Sequence, residues 1–140
     1  MVWNRIRWLI SGAAGLIALP AGVLMAQAGQ GASDPASITP AMVALGDSIF
    51  HGKVGGALCQ ICHGPAGKGV NPLGPSLVDA EWLHGDGSYG FLIQTINDGV
   101  TKPKKSAAPM PAKGGGQLTP PQIQAVAAYV YSLNRKQGGG

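Results

Sequence analysis

The feature that most constrains this chain is the pentapeptide Cys59-Gln60-Ile61-Cys62-His63. It uses both cysteines of a 140-residue protein and follows the second one directly with a histidine. Cys-x-x-Cys-His is the order that suits covalent c-type haem attachment. Each thiol can add across one vinyl group of the porphyrin to give a thioether, and the next residue then aims its imidazole at the iron. A fold for this chain must therefore close around a flat, apolar group anchored at residues 59–63. Other chemistries of the same residues fit less well. A thiol–disulfide redox pair sits at a helix start inside a βαβ pattern, and no alternating strand pattern occurs here. A structural zinc site needs four ligands, yet the two other histidines, His51 and His84, are unpaired in the sequence. A plain disulfide in an oxidising compartment is the remaining alternative.

The first residues read as a targeting segment. Arg5 and Arg7 precede an uncharged apolar run from Trp8 to Met25, and Ala26-Gln27-Ala28 places small residues where a signal peptidase reads. This layout predicts a secretory signal over residues 1–28, cleaved after Ala28. The rival is an uncleaved membrane anchor. The run is near the lower limit for crossing a bilayer, and it contains Pro20, Gly12, Gly15 and Gly22. Both readings keep the positive end in the cytoplasm and export the rest. The expected location is thus the periplasm, with membrane attachment only if residues 1–28 are retained. The formal net charge is +4, part of it from Arg5 and Arg7. No basic run is interleaved with aromatic residues, so nucleic acid is not an expected partner. Gly67-Lys68-Gly69 is too short for a phosphate-binding loop. No paired carboxylates or nucleophile–base set point to catalysis, and no catalytic residue is assigned.

Residues 29–38 are small, polar and Pro-containing, and read as a flexible linker. A helix is predicted to begin at Thr39 as N-cap with Pro40 at the first helical position. Met42, Leu45, Gly46 and Ile49 form its apolar stripe with Phe50 beside them, and the Gly52–Gly56 stretch stops it. A short helical turn should carry Cys59–His63. From Gly64 to Asp79 the alternation of Gly and Pro predicts a loop able to wrap closely around a flat ligand. Ser88 is the predicted cap of a helix with Tyr89, Leu92, Ile93 and Ile96 on one face, ended by Gly99. Residues 100 to 118 read as irregular. Thr119-Pro120-Pro121-Gln122 then combines N-cap, N1 proline and capping-box glutamine. The stripe that follows is Ile123, Val126, Ala127, Val130 and Leu133, with Tyr129 adjacent. Lys136 to Gly140 is a frayed tail. The domain is expected to span residues 39–135.

Haem iron in an electron carrier usually takes two protein ligands. His63 is one. Met110, in Pro109-Met110-Pro111, is the predicted second, because it is the one methionine after His63 and is flanked by stiffening prolines. A thioether stabilises ferrous iron and raises the potential relative to a second imidazole. Met42 sits on a helix stripe, where a core role is expected; His84 and His51 are the rivals. A metal-bound histidine normally donates its other N–H to a carbonyl or carboxylate. Gly74-Pro75-Ser76-Leu77 is the candidate segment, with the Pro75 carbonyl as acceptor and Leu77 packing on the ring. Trp82 and Tyr89 are candidates for a propionate bond and equally for ordinary core. Lys102, Lys104, Lys105 and Lys113 flank Met110 and either steer a partner by charge or simply solubilise the loop.

These residues together resemble the class I monohaem c-type cytochromes. The matching pieces, in the family's order, are Gly46 and Phe50, Cys59-Gln60-Ile61-Cys62-His63-Gly64, Gly67 and Gly69, Pro75-x-Leu77, Gly99, Met110-Pro111, and the closing helix from Ile123 to Leu133. The resemblance covers about residues 39 to 134. It implies an all-α fold of three to four short helices with long loops wrapped around one covalently bound haem c. It also implies that the first and last helices cross, with Gly46 and Phe50 meeting Tyr129. The implied function is one-electron transfer in a periplasmic chain, between an upstream donor and a downstream oxidase, dehydrogenase or reaction centre. The alternative is a haem-bearing, membrane-anchored subunit of a larger oxidase or dehydrogenase complex. A peroxidase or ligand-binding haem protein would require Met110 to be absent from the iron.

So few helices, and so much Gly and Pro, make a marginal core for a domain near 100 residues. The macrocycle would supply the missing apolar centre. The haem-free chain is therefore expected to be largely unfolded. A cooperative thermal transition of haem-free protein close to that of the haem-loaded form would contradict this.

Overall fold

The computed structural model describes residues 33–135. The expected export segment 1–28, the first part of the linker and the tail 136–140 lie outside the described residues. Within residues 33–38 the chain forms a single 3-10 turn, Pro35–Ser37, capped by the Asp34 side chain on the Ala36 N–H at 2.9 Å. Among the described residues there are four α-helices and no strand: α1 (Pro40–Phe50), α2 (Cys59–His63), α3 (Tyr89–Asp98) and α4 (Pro120–Arg135). A second 3-10 turn spans Ala112–Gly115. No helix of the described residues is long and apolar enough to cross a membrane.

Local chemistry places the helix ends. The Thr39 hydroxyl accepts the Met42 N–H at 3.2 Å, and Pro40 follows as the first helical residue of α1. The Ser88 hydroxyl accepts the Phe91 N–H at 3.3 Å and opens α3. At α4 only the glutamine half of the capping box forms. The Gln122 side-chain oxygen accepts the Thr119 N–H at 2.8 Å, and the Thr119 hydroxyl also turns to that oxygen, at 3.1 Å.

Helix α4 is the centre of the fold, with both α1 and α3 packed on it. Its residues Ala125 to Val130 are all buried, a wider band than a single stripe, because neighbours surround it on several sides. The crossing with α1 is centred on Gly46. A Cβ at Gly46 would lie 2.8 Å from the Tyr129 Cβ and would overlap the Ala125 carbonyl. One turn on, the Phe50 and Tyr129 rings pack with centroids 5.2 Å apart. Gly46, Ile49 and Phe50 are the buried residues of α1, with Met42 and Val43 partly covered. Leu45, expected on that stripe, is instead 39% exposed. The contact line follows Gly46, where the backbones approach, and leaves Leu45 at its edge. On α3, Tyr89, Leu92 and Ile96 face inward, and the Tyr89 hydroxyl donates to the Gln124 carbonyl at 3.0 Å.

Gly46→Ala therefore forces the two backbones apart. Overpacking of this kind costs about 1–3 kcal/mol. The expected result is a lower denaturant midpoint for the haem-loaded protein with an unchanged m-value, whereas Leu45→Ala should leave the midpoint nearly unmoved.

Candidate haem site

Helix α2 is a single turn with both cysteines unpaired and half-buried, and with His63 at its C-terminus only 9% exposed. The loop that follows folds back on it. Gly69 N–H donates to the His63 carbonyl at 2.8 Å and Val70 N–H to the Cys62 carbonyl at 3.1 Å, satisfying carbonyls that so short a helix cannot pair internally. The close approach that glycine provides here is of loop to helix backbone. A Cβ at Gly74 would come within 2.7 Å of the Cys62 carbonyl oxygen. Gly74 thus packs against the backbone of α2 as well as lining the cleft.

That docking brings the Pro75 carbonyl to the imidazole. His63 Nδ1–H donates to it at 2.8 Å, which fixes the ring and leaves Nε2 with its lone pair. Burial pushes the His63 pKa below its ordinary value, and the bond to Pro75 opposes part of that shift. The ring is therefore neutral near pH 7, the form a metal requires. Burial, reinforced by the neighbouring Cys62, pushes the Cys59 thiol up, against a backbone hydrogen bond of its own. Leu77 is tied by its N–H to the Gly67 carbonyl at 2.7 Å.

Cys59, Cys62, His63, Pro75, Leu77 and Met110 all line one cleft of about 290 Å³. Leu92 and Ile96 of α3 and Val126 and Val130 of α4 complete an almost wholly apolar wall. Met110 is held there by backbone. Val100 and Met110 exchange hydrogen bonds of 2.9 and 3.0 Å, an isolated antiparallel bridge. Gly99 makes this possible at φ 73° and ψ −170°, a region essentially closed to other residues. A Cβ there would also fall 2.7 Å from the Ala112 nitrogen. The bridge was not foreseen from sequence; the signal lay in a helix-ending glycine followed by a β-branched residue, opposite a proline-flanked methionine.

The other candidates separate clearly. Trp82 and His84 line the cleft. Tyr89 does not, and its hydroxyl is committed to Gln124, which makes it core. His51 ends α1, with its ring nitrogens on the Asp47 and Pro65 carbonyls. Met42 packs against the core. Of the four lysines, Lys105 is paired with Glu81 at 2.9 Å, Lys102 and Lys104 are exposed, and Lys104 borders the cleft. Three residues not singled out from sequence, Leu58, Ile61 and Leu73, line the cleft yet are 60%, 56% and 43% exposed.

The donor set fits a c-type haem. It offers two free thiols one helical turn apart, a neutral imidazole with an uncommitted Nε2, a thioether, and apolar walls. Among the described residues no buried side-chain polar atom lacks a hydrogen-bond partner, so the cleft makes no polar demand that an apolar ring would leave unmet. Nor does any group of three or more His, Cys, Asp or Glu among them form a bare-metal site.

Comparison with known proteins identifies the family. Residues 43–130 match the family described as cytochrome c oxidase, cbb3-type, subunit III. The chain belongs to this c-type cytochrome family. Among its relatives are the cbb3-type cytochrome c oxidase subunit CcoP of Rubrivivax gelatinosus, 41% identical over 60% of this chain. Subunit FixP of Bradyrhizobium diazoefficiens is 43% identical over 59% of it, and CcoP of Rhodobacter capsulatus 42% identical over 59%. The matched stretch is only 25%, 24% and 26% of those proteins' own lengths, so the chain corresponds to about a quarter of each. No solved structure matches the chain.

If Gly99 is what permits the Val100–Met110 bridge, Gly99→Ala should release it. Backbone strain of about 1–3 kcal/mol corresponds to amide hydrogen exchange at Val100 and Met110 faster by about fivefold to a hundredfold. Exchange at Leu92, inside α3, should change much less.

Proposed function

We propose that this chain is a one-electron transfer domain carrying one haem c, and that it serves as the haem-bearing subunit of a larger oxidase complex on the periplasmic side of the inner membrane. Residues 1–28 would export it and, if retained, anchor it. The observation that carries the reading is the gathering of Cys59, Cys62, His63 and Met110 into one apolar cleft. When bound, the haem supplies an iron that exchanges one electron between ferric and ferrous states.

The chain's own residues set the conditions for that exchange. Cys59 and Cys62 would hold the macrocycle through two thioethers. His63, oriented by Pro75, and Met110, oriented by Val100 and Gly99, would hold the iron. The thioether of Met110 would favour the ferrous form relative to a second imidazole. Leu77 and the inward faces of α3 and α4 exclude water, which strengthens that preference. Leu58, Ile61 and Leu73 would form an apolar rim for a redox partner, with Lys102 and Lys104 adding positive charge that speeds encounter.

Two of the three readings of the sequence, a free periplasmic carrier and a subunit of a larger complex, place both His63 and Met110 at the iron. The relatives above are named as oxidase subunits, which favours the second. Subunit and free carrier share the same site, and differ in what the protein is isolated with.

Three outcomes test the proposal. Intact mass should exceed that of the haem-free chain by one haem, and Cys59→Ala with Cys62→Ala should abolish the covalent addition. The oxidised protein should show the weak near-infrared sulfur-to-iron band, lost in Met110→Ala and kept in Met42→Ala. Gentle detergent extraction followed by size-exclusion chromatography should find the chain in a large haem-containing assembly. Recovery only as a monomer would return the function to a free carrier.

A further inference from the structure

His51 grips the attachment helix from both sides. Its backbone carbonyl accepts the Gln60 side-chain N–H at 2.8 Å, inside the Cys-x-x-Cys-His motif. Its ring Nε2 lies 3.0 Å from the Pro65 carbonyl, two residues beyond His63. Its Nδ1 lies 2.8 Å from the Asp47 carbonyl and 3.2 Å from the Asp47 carboxylate. A neutral imidazole carries one N–H, and both carbonyls here are acceptors only. Both ring contacts are hydrogen bonds only when both nitrogens carry protons.

We propose that His51 is a proton-linked positioning residue: as the imidazolium it clamps the segment after His63 to α1, and on losing its proton it releases one side of that clamp. This rests on the haem reading above. Asp47 is the one charged group facing the ring from its own helix. From α4 the ring of Tyr129 stands at 6.1 Å between centroids. The Tyr129 phenol is kept protonated, its pKa raised first by burial and then by the charge and hydrogen bond of Asp47. From α1 itself Phe50 packs edge-on at 5.4 Å. On the α2 side the contacts are the uncharged Pro65 carbonyl and the Gln60 amide.

The consequence is a link between solvent pH and electron affinity. A positive charge held on the attachment segment opposes a further positive charge at the iron. Protonated His51 should thus favour the reduced protein, and reduction should by reciprocity favour uptake of a solvent proton at His51. The sign follows: the reduction potential is higher at low pH and falls as the ring loses its proton.

The test uses the haem-loaded protein between about pH 5 and pH 8, where imidazoles change charge. The potential should fall in one step in the wild type and be flat in His51→Gln, whose amide can still donate to one carbonyl. Asp47→Asn, which removes the stabilising carboxylate, should move the step to lower pH. Nitrogen-15 NMR of the His51 ring should show two protonated nitrogens below the step and one above it. A wild-type potential that is flat with pH, a step that survives in His51→Gln, or a ring with one proton throughout would each overturn the clamp. Those results would leave the haem reading standing. A protein whose mass lacks haem would instead defeat the haem reading, and the NMR ring titration would still decide whether His51 holds two protons.

Discussion

The backbones of α1 and α4 meet at Gly46, and the cleft exists because they do. With no side chain at that position, the helices come close enough for the Ala125 carbonyl and Tyr129 to sit against α1. That contact sets where Phe50, Val126 and Val130 point, and these three line the cleft. Helix α3 then completes the wall from the far flank of α4. The approach of these two helices thereby places one wall of the cleft.

The cleft is bordered by two loops that are irregular in secondary structure yet tightly specified. On the His63 side, backbone N–H groups of Gly69 and Val70 take up the free carbonyls of a one-turn helix, and the returning chain presents the Pro75 carbonyl to the imidazole. On the Met110 side, a two-bond bridge to Val100 does the corresponding task. Both arrangements exploit the same physics. Buried backbone polar groups must be paired, so a loop that pairs them with a helix end is held as firmly as a strand. Side chains that need precise placement can then be carried on segments with no repeating structure.

The largest part of the site was legible from local pattern. Cys59, Cys62 and His63 are adjacent in sequence, and the Thr39, Ser88 and Thr119 signals mark helix starts because capping depends on residues within one turn. Pro75 and Met110 are legible through chemistry, since a metal-bound imidazole needs an acceptor and haem iron in an electron carrier usually takes a second protein ligand; both residues line the cleft. Leu45 was placed inside because periodicity identifies an apolar stripe without saying where its centre line falls. The Val100–Met110 bridge and the His51 contacts leave no local pattern in the sequence for a related reason. Each joins segments many residues apart, through backbone atoms that every residue possesses.

What the amino-acid sequence determined by itself was the spacing of the two thiols and the imidazole, the helical class and the ends of the helices, because each depends on side chains within a few positions of one another. Only the tertiary structure decided that His63 and Met110 share one cleft, that Gly74 serves the helix backbone, and that His51 spans α1 and the loop beyond His63. Those are distances between remote parts of the chain, set by how closely α1 and α4 can approach, and that approach depends on the steric fit of both helices at once.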